Sequence, residues 1–86
     1  MEVILTRNAE KQLKKAPANI VQKLLYWVSQ VEDYGLLEVR KIPGFHDEPL
    51  KGQRKGQRSV RLSKSWRAIY TIEDNILVIE VHNHDY

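Results

Sequence analysis

Arg61, Arg67, Glu80, His82 and His84 are the residues of this chain whose types and spacing suit chemistry. Period-two alternation along three expected strands brings all five to one sheet face. Two arginines, two histidines and a carboxylate on an open face suit work on a phosphodiester. Cutting RNA without a metal requires a base for the 2′-hydroxyl proton, a cation for the developing charge and an acid for the leaving 5′-oxygen. Arginine offers a forked, permanently charged donor, and histidine changes protonation near neutral pH. Residue types and faces alone leave other readings open. Arg67 and Glu80 make an ordinary strand ion pair equally well, Arg61 a plain surface arginine, and His82 an edge filler.

The charge distribution agrees with a polyanionic partner. Nine of the fourteen Lys and Arg residues lie between Arg40 and Arg67, opposed there only by Asp47 and Glu48. The formal net charge of +3 therefore conceals a focused positive segment within an otherwise acidic chain. Lys51, Arg54, Lys55 and Arg58 are the candidates for contacts to a nucleic-acid backbone. A solvated basic loop is the competing reading of the same run.

These residues need elements to hold them. Val3 to Leu5 reads as a first strand, and Thr6 as the cap of a helix carrying Ala9, Leu13 and Ala16 at i, i+4 and i+7. Pro17 closes that helix and opens a second, with Ile20, Leu24, Trp27, Val28 and Val31 on one stripe, widened by Val21 and Leu25. Gly35 is its stop. Periodicity fades from Leu36 to Gly56, where Pro43-Gly44, Pro49 and Gly52 mark turns. Three strands follow: 57–63, 66–72 and 76–84, the last pair turning at Asp74-Asn75. Val60 and Leu62 share a face, as do Trp66, Ala68, Tyr70 and Ile72, and as do Leu77, Ile79 and Val81. Val78 then falls on the opposite, open face with Glu80, His82 and His84, unless a bulge shifts the register.

With 86 residues there is room for one domain, spanning 1–86. No apolar run approaches the roughly 20 residues that span a bilayer, and the first residues lack a signal peptide's basic start and long apolar stretch. The chain contains no cysteine, which excludes disulfides and thiolate metal sites. A cytoplasmic protein without membrane contact is the expectation.

Several stretches carry a resemblance. Glu48-Pro49-Leu50-Lys51-Gly52, Gly56-Gln57-Arg58-Ser59-Val60-Arg61-Leu62, Trp66-Arg67-Ala68-Ile69-Tyr70 and the closing His84-Asp85-Tyr86 resemble the RelE/ParE superfamily of toxins, nearest its RelE-, YoeB- and HigB-like members. Leu13-Lys14-Lys15-Ala16-Pro17, ending the first helix, is similar to theirs as well. The resemblance implies an α+β, microbial RNase-like fold, with an N-terminal strand and a helix hairpin packed on one face of a twisted, mainly antiparallel sheet. It implies the toxin of a type II toxin–antitoxin pair: an endoribonuclease, or mRNA interferase, that inhibits translation by cutting messenger RNA in the ribosomal A site without metal or cofactor. Its partners would be the ribosome, mRNA and a cognate antitoxin, of which a HigA-like helix-turn-helix protein is one type.

By position, the resemblance makes Glu48 the general base, Arg67 the ligand of the scissile phosphate and Arg61 its support. His84 and Tyr86 match a C-terminal histidine and aromatic used for proton transfer and base positioning. The closing His-x-Tyr departs from the adjacent His-Tyr pair of YoeB-like toxins. His46 stands near enough to Glu48 to replace or assist it, and in a strictly RelE-like chemistry Lys51 and Lys55 would matter more. ParE-like members of the same fold, which bind DNA gyrase and cut no RNA, are the alternative function. Fold alone does not choose between them.

Overall fold

The computed structural model describes residues 2–83. Strand β1 (Val3–Leu5) leads into helices α1 (Arg7–Lys14) and α2 (Ala18–Tyr34), followed by the single-turn helix α3 (Leu36–Val39). A 3-10 turn at Pro43–Phe45, the two-residue strand β2 (Glu48–Pro49) and a second 3-10 turn at Gly52–Arg54 form the basic connection. Strands β3 (Gln57–Arg61), β4 (Trp66–Ile72) and β5 (Ile76–Asn83) complete the chain. The sheet order is β1-β5-β4-β3-β2, antiparallel except where β1 runs parallel to β5. No helix among the described residues is long and apolar enough to cross a membrane.

Local chemistry sets the helix ends where the sequence indicated. The Thr6 hydroxyl accepts from the Ala9 N–H at 3.2 Å, the usual way an N-cap satisfies an orphan donor. Pro17, with no N–H to lose, stands at the start of α2. Gly35 ends α2 at φ +86°, a backbone region closed to most side chains, while its N–H still donates to the Val31 carbonyl. The chain then coils for one further turn, α3, which the fading periodicity did not announce. That turn buries Leu36 and Val39.

The α2 stripe holds: Ile20, Leu24, Trp27 and Val31 are all buried, recurring at helical spacing over about three turns. Leu25 does not widen it, being 55% exposed on the far side. The Trp27 ring lies 5.2 Å from that of Tyr70, fixing α2 over the middle of the sheet. Packing outranks polar satisfaction here, since the Trp27 Nε1 donor is buried without a partner among the described residues.

The last strand corrects the expected alternation. Ile69 pairs with Glu80 and Tyr70 with Val78, so Ile79 is an extra residue opposite that step. This β-bulge turns Ile76 and Val78 into the core and leaves Leu77, beside Thr71, on the other face. Beyond the bulge Val81 points inward, and Glu80 and His82 outward, as the sequence implied. The bulge also falls where β1 ends and β5 would present a bare edge. Side chains around the start of α1 cover it: the Thr6 hydroxyl and the Asn8 amide donate to the Ile79 carbonyl, and the Gln12 amide oxygen accepts from the Val81 N–H.

Candidate active site

Residues 45 to 48 alternate between the two sides of the sheet. Phe45 is buried, 2% exposed, and its ring lies 6.2 Å from that of Tyr26 on α2. The Asp47 carboxylate is also buried on the helix side, its side chain only 1% exposed. One oxygen accepts from Arg58 Nε and the other from the Tyr70 hydroxyl, each at 2.6 Å. Burial, then the hydrogen bond to Asp47, pushes the Tyr70 hydroxyl well above the usual phenol range. Burial works against the Arg58 charge, but the hydrogen bond and attraction of Asp47 outweigh it and raise its pKa.

Between and beyond these anchors, His46 and Glu48 reach into solvent with His46 Nε2 3.5 Å from Glu48 Oε2. His46 adopts φ 46°, ψ 49°, the one described non-glycine residue in the left-handed region. Such a conformation costs on the order of 1–2 kcal/mol and persists only where neighbours hold it.

On the opposite side from the helices, Arg61, Arg67 and His82 stand in one row across β3, β4 and β5. The next row is Glu48, Ser59, Ile69 and Glu80, two residues away on the central strands, or roughly 7 Å. Like charges directly opposite each other on neighbouring strands repel. A pair such as Arg61–Arg67 therefore weakens the sheet unless an anion comes between or above it.

The face is not bare, as alternation alone suggested. The connection from Leu50 to Gly56 folds across it, and Arg54 bridges Gln57 on β3 at 2.9 Å and Glu80 on β5 at 2.6 Å. Beneath this strap Ile69 is 4% exposed although it points away from the helices. Beside it opens a pocket of about 230 Å³ lined by Glu48, Leu50, Arg54, Ser59, Arg67, Ile69 and His82. Arg67 lines this pocket, and its Nη1 is buried with no hydrogen-bond partner among the described residues.

The structure thus brings Glu48, Arg61 and Arg67 together, with His46 against Glu48. The pairing of Arg67 with Glu80, the competing reading, does not form, because Arg54 takes Glu80. Arg58 lies on the helix side with Asp47 and Tyr70, away from the face where an RNA-contacting role would put it. Arg54 is half committed to its ion pair, whereas Lys51 and Lys55 are exposed. His84 and Tyr86 lie outside the described residues. Asp47 was overlooked in the sequence, where it counted only as an opposing charge. Its signal was an acidic residue at the odd position of an alternating His-Asp-Glu run. Among the described residues no group of three or more His, Asp or Glu side chains is arranged to hold a metal ion.

Neither a protein-family model nor a curated protein matches the sequence. Solved structures do. YafQ from E. coli strain BL21(DE3) superposes with a TM-score of 0.77 over 95% of this chain and 91% of that one, at 20% identity. A YoeB/ParE toxin from Agrobacterium tumefaciens gives 0.74 over 99% and 100%, also at 20% identity. The fold is that of the RelE/ParE toxins. The E. coli DinJ–YafQ toxin–antitoxin complex matches in the same way, with a TM-score of 0.76 and 22% identity over 96% of this chain and 91% of that one. Within the RelE/ParE fold, the strap from Leu50 to Gly56 and the row Arg61–Arg67–His82 lie on the sheet face away from the helices.

Proposed function

We propose that this chain is the toxin of a type II toxin–antitoxin pair and an endoribonuclease that cuts mRNA in the ribosomal A site. The observation that carries the reading is Arg67: a permanently charged side chain that lines a pocket together with Glu48 and whose buried Nη1 no described group satisfies. An unmet charged donor is expensive in a folded protein, and a phosphate oxygen is the ligand that relieves it best. In the proposed reaction Glu48, assisted by His46, removes the 2′-hydroxyl proton. The 2′-oxygen attacks the adjacent phosphorus, and Arg67 with Arg61 stabilises the charge growing on the phosphoryl oxygens. His84 protonates the departing 5′-oxygen and Tyr86 positions the base, roles that come from the family resemblance. No metal or cofactor enters this scheme. Lys51 and Lys55, with Arg54, supply ribosomal RNA contacts.

The DinJ–YafQ complex supports a cognate antitoxin as partner, and a HigA-like helix-turn-helix protein stays a proposal about its type. We assign the protein to the cytoplasm, where translating ribosomes are. Mapping 5′ ends of mRNA on translating ribosomes with purified protein is the deciding experiment. Cuts confined to the A site, lost in Arg67→Ala, are the expected result. Intact message together with gyrase-dependent DNA damage would overturn the nuclease in favour of a ParE-like inhibitor.

A further inference from the structure

We infer that Asp47 is the positioning residue of this site, a buried anchor that aims His46 and Glu48 at the substrate face. The inference rests on the reading of Glu48 and His46 as the proton-transfer pair. β2 is only two residues long and includes Pro49, so its ladder bonds to β3 cannot by themselves fix the segment that precedes it. Asp47 supplies the missing constraint. Its two oxygens join Arg58 on β3 and Tyr70 on β4, residues directly opposite each other in the ladder. One side chain thereby ties the loop to two strands at once. The residues on either side of the inward Asp47, His46 and Glu48, are both exposed, and they meet at 3.5 Å. The left-handed backbone at His46 shows that the segment is held in place against its own preference.

The test combines two readouts on the full chain. In Asp47→Ala, single-turnover cleavage on ribosomes should fall by about 30-fold or more, as expected when a reacting group is misplaced by around 1 Å. The ribosome concentration giving half-maximal rate should shift less than about threefold, since uniform binding is untouched. Asp47→Asn, whose Oδ1 can accept from Arg58 Nε while its Nδ2 donates to the Tyr70 hydroxyl oxygen, should recover most of the lost rate. If Asp47→Ala does not fold, Tyr70→Phe replaces it: that variant keeps the ring against Trp27 and removes one of the two ties.

The second readout needs no activity. The NMR signals of the His46 ring should move on Glu48→Gln in the otherwise unaltered protein, and should stay still when the same change is made in the Asp47→Ala or Tyr70→Phe background. A folded Asp47→Ala or Tyr70→Phe variant with an unaltered rate and an unaltered His46 response overturns the inference. Should the unmodified protein cut no RNA, the proton-transfer reading falls, and the NMR arm alone then judges whether Asp47 aligns the two side chains.

Discussion

Arg58 and Arg67 sit on neighbouring strands and carry the same guanidinium, yet the two faces of the sheet make them opposites. On the helix side Arg58 is bonded to a buried carboxylate at 2.6 Å, which in turn holds the Tyr70 hydroxyl. On the other side Arg67 faces Arg61 across the ladder, near a glutamate already taken by Arg54, and keeps a buried donor unmet among the described residues. The first arrangement is complete without a ligand; the second is not. An arginine whose partners are all inside the protein holds the fold, and the one the fold leaves unsatisfied is where we propose the anion binds.

The sharpest way to break this contrast is to remove each arginine in turn. Arg58→Ala should leave Asp47 buried and unpaired, costing about 3–5 kcal/mol of folding stability. For a domain of this size each kcal/mol lowers the melting temperature by roughly 4–8 °C, so calorimetry should find a large drop. A melting temperature within a few degrees of the parent would show that Asp47 needs no charged partner. Arg67→Ala should do the reverse. Cleavage should fall by about 10²–10³-fold, or roughly 2–4 kcal/mol in the transition state, while thermal stability holds or rises slightly because an unsatisfied donor is gone. Undiminished toxicity at matched expression would move the phosphate site elsewhere.

The helix-side network also predicts an alkaline limit. The folded Tyr70 hydroxyl has its pKa raised above the unfolded value of about 10. Its contribution is therefore complete below about pH 10 and is lost as pH climbs from there toward the folded value. Melting temperature followed between neutral and strongly alkaline pH should decline above about pH 10, and Tyr70→Phe should remove part of that decline. An identical alkaline limb in both proteins would assign it to other groups.

The smallest effect should come from the exposed lysines. Lys51→Ala should weaken ribosome binding modestly and reduce the salt dependence of binding by about one unit of slope, with little change in the rate once bound. A selective loss of the bound-state rate would instead bring Lys51 into the chemistry.

Much of the architecture follows from residue order. The Thr6 cap, the Pro17 junction, the α2 stripe and the Gly35 stop are encoded within a few residues of where they act, so propensity and periodicity reveal them. The opposed rows of Arg61 and Arg67 are nearly as local, because two short strands joined by a tight turn have little freedom of register. The bulge at Ile79 is different. It depends on where β1 ends and on Thr6, Asn8 and Gln12 being present to cover an edge some seventy residues away in sequence. Nothing in the alternating run 76–83 announces it.

The same limit applies to the site. Residue type and strand alternation placed Arg61 and Arg67 as candidates, and the family resemblance added Glu48. Only tertiary structure decided which charges are already spent. Arg54 and Glu80 are 26 positions apart, and Asp47 and Tyr70 are 23 apart. Such pairs form when the loop folds over one face of the sheet or anchors under the other, a matter of three-dimensional packing that one-dimensional spacing does not contain.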